Sequence, residues 1–376
     1  MSHHRLVSRA GLGLALGLMA APVSGVSAQE VLERLELHGA LNAGYGRADS
    51  IGVFGIPQKG TSDYRVFTLQ GRFALTPKDH IVAQVFNRRL GASPLAGAIA
   101  DVTMQWAYWQ HKEGDFTVKV GRNPLPRGLL NEVRYIGTVI PFFRPPTELQ
   151  LEAFDAIDGA VVSYRHELPF GIGFEQHAFA GGSENRTVAS TAQGQQLRIA
   201  RTENMFGGQS YLTLPVANAK LGLYGARYGF IQTTGRGYRS NVMGSAEATV
   251  SIFKLQTEHG RITGYGPVND NRSGYTWLTT RLHDRFAIAG QHAYTIRKLY
   301  ATNPAANRMY MDTRTAGVAG VFSLTGSTVL KLEHHWREGY AFDTSVPVIR
   351  SQTPTSVVMA PASKTRYILA SVAASF

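Results

Sequence analysis

The sequence predicts an all-β chain, a 16-stranded antiparallel transmembrane β-barrel with short periplasmic turns and long extracellular loops. Three observations support this fold class. Sixteen segments of about ten residues alternate apolar with other side chains, which is the periodicity of strands. The connections between them are short and long in turn, as in outer-membrane barrels. Beyond the N-terminal region, no apolar run approaches the roughly 18 residues that a transmembrane helix needs.

The first 28 residues are typical of a secretory signal peptide. Arg5 and Arg9 form a basic start, residues 10–23 are an apolar run rich in Leu and Ala, and Val26-Ser27-Ala28 is a cleavage site of small residues. We expect cleavage after Ala28, so that the barrel comprises residues 29–376. The short run is broken by Gly and Pro, which argues against a membrane anchor. The sequence therefore predicts export.

Composition narrows the classes of partner. The chain has 38 Lys and Arg against 26 Asp and Glu, and two of the basic residues belong to the predicted signal peptide, so an excess of about ten positive charges remains after cleavage. These residues are scattered singly, which favours anionic solutes and lipopolysaccharide phosphates over nucleic acid. The absence of Cys excludes disulfides and thiolate metal sites. We expect no cofactor.

The connections fall into two classes. Short ones, with compact turn residues, lie at 76–79, 112–115, 167–171, 215–219, 283–285 and 325–327, and a weakly marked turn lies near 250–252. Long ones lie at 46–63, 90–99, 121–157, 181–203, 229–240, 261–273, 296–312 and 337–363. A β-sandwich would not sort its loops in this way. An even strand number places both ends of the barrel on the periplasmic side.

The segment YILASVAASF, residues 367–376, is predicted to close the barrel. Counting back from Phe376, every second residue is apolar, which gives the strand one uniformly apolar face. We expect this strand to pair with residues 35–45, because an open sheet edge is intolerable in hydrocarbon. Its Phe376 resembles the C-terminal signal of bacterial outer-membrane barrels.

Alternation also assigns each strand two faces. In residues 102–108 the apolar set is Val102, Met104, Trp106 and Tyr108, a pattern that lipid outside and water inside would produce. The facing of residues 220–228 and 273–281 is ambiguous from the pattern. Aromatic residues near strand ends suit membrane girdles, although they could equally be core residues of a soluble barrel.

The longest connection, residues 121–157, is the candidate constriction loop. Its run GRNPLPRGLLNEVR followed by PFFRPP resembles a segment of bacterial outer-membrane porins of the proteobacterial phosphate-porin-like group. The resemblance implies a diffusion channel whose third outer loop folds into the barrel, and its general members are homotrimers. Five prolines stiffen the loop, as a fixed shape inside a pore requires. The alternatives are a surface loop over the barrel mouth or a subunit latch.

Charged residues of the strand faces and of this loop are the predicted pore lining. Basic residues outnumber acidic ones, which favours passage of anions. The alternative is that they are solvated charges without a selective role. The predicted lining comprises Arg72, Arg88, Lys119, Arg122, Arg127, Arg134, Arg144, Arg165, Lys254, Lys331, Glu132 and Glu148.

The sequence thus predicts a passive porin in the bacterial outer membrane, without enzymatic activity, with an adhesin or receptor barrel and a barrel-embedded hydrolase as alternatives. No GxSxG elbow or spacing identifies a catalytic triad. Histidines 177, 334 and 335 could be metal ligands, but histidines on alternating strand faces are more often lumen or interfacial residues. A plugged active transporter would need an additional domain for which the chain has no room.

Overall fold

The computed structural model describes the greater part of the predicted barrel. Among the residues that the structure describes, no helix is long and apolar enough to cross a membrane. The predicted signal peptide, residues 1–28, lies outside them. The described residues are 32–93, 102–150, 154–191, 194–232, 235–264, 270–299, 307–353 and 357–376.

Sixteen antiparallel strands close into one barrel, and a separate two-stranded hairpin lies in the last long connection. Each strand pairs with its neighbours in sequence, and β1 pairs with β18 to complete the ring, so the predicted fold class is confirmed. The barrel strands are Leu35–Ala48 (β1), Thr61–Ala74 (β2), Asp79–Leu90 (β3), Thr103–Glu113 (β4), Phe116–Pro124 (β5), Ala156–Leu168 (β6), Ile172–Thr191 (β7), Gly194–Leu214 (β8), Ala219–Gln232 (β9), Gly235–Val250 (β10), Phe253–Gly264 (β11), Asp270–His283 (β12), Phe286–Leu299 (β13), Arg308–Thr325 (β14), Thr328–Gly339 (β15) and Ser363–Ser375 (β18); the hairpin is Ile349–Gln352 (β16) with Val357–Met359 (β17).

The barrel wall has an apolar outer face and a polar inner face. On β15, Leu330 and Leu332 are 41% and 65% exposed, whereas Lys331 between them is 3% exposed. Because side chains of a strand alternate between the two faces, the exposed leucines point outward and the lysine points into the barrel. A closed ladder leaves no unpaired edge, so this apolar surface suits hydrocarbon.

The seam between β1 and β18 is closed at its end by Phe376. The Gly39 amide donates to the Phe376 carbonyl at 3.1 Å, and the Phe376 amide donates to the Gly39 carbonyl at 3.0 Å. The Phe376 ring occupies the space that a side chain at position 39 would fill. The predicted pairing of the closing strand with the first strand is therefore confirmed.

The alternation of short and long connections is confirmed, but several predicted loops are partly strand, and two of them illustrate this. β7 and β8 stay paired from Ser183–Thr202 to Thr191–Gly194, and β9 and β10 stay paired to Gln232–Gly235. The predicted loops 181–203 and 229–240 are thus extended hairpins. Beyond the bilayer a strand needs no apolar face, so pairing continues where the alternating pattern has disappeared.

A β-bulge corrects the predicted facing of β4. The register with β3 shifts between Gln84 and Val85, so that Gln84 pairs with Trp106 and Val85 with Met104. Met104 is 44% exposed, as predicted for the outer face, but Trp106 is 4% exposed on the inner side. An extra residue in one strand reverses the alternation beyond it, which the sequence pattern did not reveal.

Candidate pore and its inserted loop

Residues 125–155 connect β5 to β6, and we call them the inserted loop. Their first anchor is Glu258 on the inner face of β11, a fully buried carboxylate. It accepts hydrogen bonds from the Leu129 amide at 2.7 Å and from Gln150 Nε2 at 2.6 Å, both in the loop. It also accepts hydrogen bonds from two side chains of the wall, Ser245 Oγ at 2.9 Å and the Tyr275 hydroxyl at 2.8 Å. One carboxylate therefore joins two parts of the loop to two strands.

A glycine allows the loop to approach this carboxylate. Gly128 has a φ of +66°, and a Cβ at this position would lie 2.1 Å from Glu258 Oε1. The Gly128 amide donates to Gln209 Oε1 of β8 at 2.9 Å. Both the left-handed backbone and the close approach require Gly here.

The loop is anchored a second time by β15, which lies four strands from β11 around the ring. Lys331 Nζ donates to the Ile140 carbonyl at 2.7 Å and to the Phe142 carbonyl at 3.0 Å. The Phe143 amide donates to Glu333 Oε1 at 2.7 Å. The loop also bonds to Asn42 of β1 and to Gln209 of β8, which lie seven strands apart around the ring of sixteen, so it lies inside the barrel and crosses it.

Glu148 forms a third anchor. Its carboxylate pairs with Arg337 of β15 and accepts a hydrogen bond from Thr315 Oγ1 at 2.6 Å. The side chains of Glu148 and Arg337 are 2% and 5% exposed. Both charges of a buried ion pair have lost their hydration, so removal of one partner would leave the other as an uncompensated buried charge.

Apolar packing completes the seating of the loop. Leu125, Leu130 and Phe142 are buried in one cluster with Tyr275 and Trp277 of β12. Small inner-face residues, Ala289, Ala293 and Ala319, leave room for the loop beside these aromatic rings. The inner wall is therefore not uniformly polar: it is apolar where the loop contacts it and polar elsewhere.

Two cavities lie on either side of the loop. The lower vestibule, of about 570 Å³, lies at the short-turn end, since Gly114 and Asp115 line it. The upper vestibule, of about 270 Å³, lies at the long-loop end and is lined by residues 341–343. Residues 126–129, 132 and 133 of the loop line the lower vestibule and residues 147–149 line the upper one, so the inserted loop lies between them.

The lower vestibule carries an excess of positive charge. Six basic side chains line it against three acidic ones, with His177 as a further titratable group. The basic residues are Arg72, Lys112, Lys119, Arg127, Arg165 and Lys220, and the acidic ones are Asp115, Glu132 and Glu175. A low-dielectric wall focuses the field of such a cavity onto the solute path.

Five of the twelve residues predicted to line the pore lie in this lower vestibule: Arg72, Lys119, Arg127, Arg165 and Glu132. Arg72 Nη1 lies 3.0 Å from Glu36 Oε2, and Arg165 Nη2 lies 2.8 Å from Glu175 Oε1. Lys119 Nζ lies 5.4 Å from the centre of the Tyr108 ring. Arg127 is buried and donates to the Leu149 carbonyl at 2.7 Å.

Three further predicted residues lie at the level of the inserted loop. Arg88 of β3 donates to the Tyr135 hydroxyl at 2.7 Å, and Arg144 donates to the Tyr64 hydroxyl at 3.1 Å. Arg134 is buried and donates to the Gln150 carbonyl at 3.0 Å. These arginines tie the loop to itself and to the wall.

Three others lie apart from the lower vestibule. Lys331 and Glu148 are the buried anchors described above. Lys254 lies on the inner face of β11 near the short-turn end, with Nζ 3.2 Å from Glu247 Oε2.

The remaining predicted residue, Arg122, lies on the outer face. It pairs in register with Asp158, in line with the outward-facing pairs Val120–Ala160 and Val118–Val162. Its Nη1 atom is 2.9 Å from both carboxylate oxygens of Asp158. Arg122 is therefore left out of the proposed pore lining.

Sequence reasoning missed Lys220 and Glu175, which also line the lower vestibule, whereas His177 was named as a lumen or interfacial residue. Lys220 lies in the strand whose facing was ambiguous. The exposed Leu221 and Leu223 place their own side chains outside and Lys220 inside. The signal was present in these two leucines but was obscured by the glycines beside them.

The barrel mouth is held by a contact that we call the mouth latch, formed by Gly52, Gly55 and Asp343. Asp343 Oδ2 accepts a hydrogen bond from the Gly55 amide at 2.9 Å, and the Asp343 amide donates a hydrogen bond to the Gly52 carbonyl at 3.0 Å. Burial raises the pKa of Asp343 to about 6, against the opposing effects of the Gly55 amide, Arg144 and Arg337. The first and last long connections are thus joined above the upper vestibule.

The mouth latch should be more stable at acidic pH. The folded pKa of Asp343 exceeds the ordinary value of 3.8, so folding favours the protonated form and the latch loses stability as pH rises through about 6. We expect the hydrogen-exchange protection factor of the Gly55 amide to be higher at pH 4.5 than at pH 7.5. Asp343→Asn should abolish this difference, and a wild-type factor that does not change with pH would contradict the prediction.

In the described part of the chain, no group of three or more His, Asp or Glu residues is placed to hold a metal ion. Ser163, His177 and Glu175 form a hydrogen-bonded row of polar side chains. Ser163 Oγ lies 2.7 Å from His177 Nδ1, and His177 Nε2 lies 3.1 Å from Glu175 Oε1. This row crosses from β6 to β7 on the inner face and opens into the lower vestibule.

No protein-family model and no curated protein matches this sequence. Solved structures do share its fold. An anion-selective porin from Comamonas acidovorans is 10% identical, with a TM-score of 0.58 over 91% of this chain and 99% of that one. The trimer form of OmpT from Vibrio cholerae gives the same identity, TM-score and coverage. The channel DcaP of Acinetobacter baumannii is 9% identical, with a TM-score of 0.56 over 91% of this chain and 97% of that one.

At these identities the likeness concerns the fold. The predicted resemblance to outer-membrane porins is confirmed at this level, with a closed 16-stranded barrel common to the chain and its neighbours. Together with the apolar outer face, this architecture points to the bacterial outer membrane. The chain has the fold of the outer-membrane porins.

Proposed function

We propose that this protein is a passive diffusion pore for small hydrophilic solutes, with a preference for anions. The observation that carries the proposal is the lower vestibule, in which six basic side chains face three acidic ones. Lysines and arginines around an aqueous path lower the energy of an anion and raise that of a cation. One neighbour in fold is itself described as an anion-selective porin.

The inserted loop is the proposed constriction. A barrel of this strand number is wide enough to leave an aqueous channel unless side chains or loops fill it. The loop crosses the interior and separates the two vestibules, so a solute must pass between it and the wall. Transport then follows the electrochemical gradient, and neither a covalent step nor energy coupling is involved.

Partners and subgroup are part of the proposal. The motif in residues 121–157 supports membership of the phosphate-porin-like group. A homotrimer is proposed from the same resemblance, and a trimer form exists for one neighbour in fold. Lipopolysaccharide is the proposed lipid partner, because the chain is basic and its outer face is apolar. Removal of residues 1–28 as a signal peptide belongs to the same proposal.

The first experiment is single-channel recording of the refolded chain 29–376 in a planar bilayer under a gradient of KCl. We expect stepwise conductance and a reversal potential of the sign that favours chloride. A cation-favouring sign would reject the assignment of selectivity to the lower vestibule. A folded barrel that gives no steps would reject the pore.

One observation favours a second candidate, a serine hydrolase. Ser163, His177 and Glu175 have the order of a nucleophile, a base and an orienting carboxylate. However, backbone amides in a β-ladder are engaged by the neighbouring strand, and an oxyanion needs free donors. A fluorophosphonate probe decides between the two. Labelling that is lost in Ser163→Ala would establish a nucleophile, whereas an unlabelled chain supports the passive pore.

A further inference from the structure

A third cavity with charged residues lies on the outer surface of the barrel, away from the pore. We call it the rim cleft. It has a volume of about 610 Å³, and its lining includes Arg314, Trp336, Glu338, Lys364 and Arg366. These residues belong to β14, β15 and β18 at their long-loop ends. Their inward neighbours Thr315, Arg337 and Thr365 are buried, so the five side chains point outward.

The strand registers arrange the rim cleft in rows. Arg314, Glu338 and Lys364 pair across the three strands and form the row nearest the long loops. The next row contains Ala316, Trp336 and Arg366. A charged edge therefore lies directly above an aromatic side chain that is 42% exposed.

Below these rows the surface is mainly aliphatic. The third row holds Val318 and Ile368, with exposures of 45% and 43%, and between them His334, whose ring centre lies 4.3 Å from that of Trp336. Leu332 follows in the fourth row and is 65% exposed. The order from the rim downward is thus charge, Trp and aliphatic surface, which is the order of headgroup, interface and acyl chains in a leaflet.

The charge of the cleft is positive. Glu338 is shared by two cations: Arg314 Nη2 lies 2.8 Å and Lys364 Nζ lies 3.7 Å from its carboxylate. Asp49 also lines the cleft, but its Oδ1 atom accepts from the Arg366 amide at 2.8 Å and from Thr365 Oγ1 at 3.1 Å. Three cations therefore face two carboxylates, an excess of one positive charge, and Arg47 adds a further exposed cation beside Ile368.

We propose that the rim cleft binds a phosphate-bearing lipid of the outer leaflet, with its phosphate on Arg314, Lys364 and Arg366 and its acyl chains on the apolar surface below Trp336. Charge complementarity selects the headgroup, and the position on the outward face at the rim selects a lipid over a soluble anion. The inference rests on the lipid partner of the proposed function and on the placement of the barrel in the outer membrane, and it is independent of conduction through the pore. The lipid proposed for this site is lipopolysaccharide.

The test compares two triple variants of the refolded full chain in detergent. Arg314→Gln, Lys364→Gln and Arg366→Gln remove the cations of the cleft. The control, Arg65→Gln, Arg227→Gln and Arg261→Gln, removes the same charge from exposed outward positions elsewhere. Binding of purified lipopolysaccharide and of its dephosphorylated form is measured by titration calorimetry, and conductance is recorded in parallel.

We expect the cleft variant to bind lipopolysaccharide about a hundredfold more weakly than wild type, because it lacks three surface cations that each attract an anionic lipid. The control should bind like wild type, and the dephosphorylated lipid should bind both wild type and cleft variant weakly. Equal loss in the control would show that net charge alone acts and would overturn the site. Unchanged binding in the cleft variant would also overturn the site. A change in the oligomeric mass of the cleft variant with no change in bound lipid would overturn it too, and would assign the cleft to contact with a second copy of the chain. Conductance should be the same in all three proteins, so failure of this inference leaves the pore proposal untouched.

Discussion

Glu258→Ala should release the inserted loop and raise the single-channel conductance severalfold. The buried carboxylate accepts four hydrogen bonds, two from the loop and two from the wall. Alanine offers none of these acceptors, and each buried donor left unsatisfied costs about 1–3 kcal/mol. The loop can recover that cost only by moving its donors into water. We therefore expect both a larger conductance and frequent switching between levels.

The control for this change is Glu247→Gln. Glu247 is a neighbouring inner-face carboxylate, and its contacts go to Lys254 and Gln256 of the wall. Its replacement should leave conductance close to that of wild type. Glu258→Gln should be intermediate, because its amide group keeps one acceptor and places a donor beside Gln150 and Tyr275. A correctly folded Glu258→Ala barrel, judged by its gel mobility without heating, with wild-type conductance would show that the loop is held by other contacts.

Arg72→Gln, Lys119→Gln, Arg165→Gln and Lys220→Gln, made together, should reverse the ion preference. Lys112 and Arg127 would then face Asp115, Glu132 and Glu175 in the lower vestibule, so the excess of charge would become negative. The field of a low-dielectric cavity acts on every ion that passes, which makes the sign of this excess decisive. The reversal potential in a KCl gradient should change sign.

Two controls accompany this prediction: a change of the salt concentration, and removal of the same charge at positions outside the lumen. The preference of the wild type should weaken between 0.1 M and 1 M salt, because the screening length falls from about 10 Å to about 3 Å. Four glutamines at the outward positions Arg65, Arg227, Arg261 and Arg314 remove the same charge outside the lumen and should leave the reversal potential unchanged. An unchanged potential in the lumen variant would mean that selectivity arises elsewhere, for example at the arginines of the inserted loop.

The strand count and the order of the connections could be predicted from the sequence because both follow from the membrane. A strand with lipid on one side and water on the other must alternate, and a barrel must return the chain at each end. Where that constraint stops, so does the prediction. The sequence alternation weakens in the extensions of β7 and β8, and the bulge in β4 opposite Gln84 and Val85 reverses the facing of that strand without a sequence pattern that indicates it.

The candidate site was predictable to a similar extent. Lys119 and Lys331 lie in clean alternating segments, and both point into the barrel as the pattern indicates. Arg122 was assigned from its place in the loop sequence, but it still belongs to β5, whose register turns it outward. The partners of the loop, such as Glu258 and Glu333, could not be paired with it, since contacts between distant segments leave no periodic signal in one sequence.

The contacts of the inserted loop also constrain the order of events in biogenesis. The loop bonds to Asn42 of β1 and to Lys331 and Glu333 of β15, which flank the closing strand β18 on either side. Once β18 has joined these two strands, a segment of this size has no lateral entry to the interior. The mouth latch restricts the axial route as well, so we expect the loop to be seated while the barrel is still open along this line. If the loop anchors are weakened, we expect a larger fraction of chains to remain in an open form with two unpaired sheet edges, which aggregates readily.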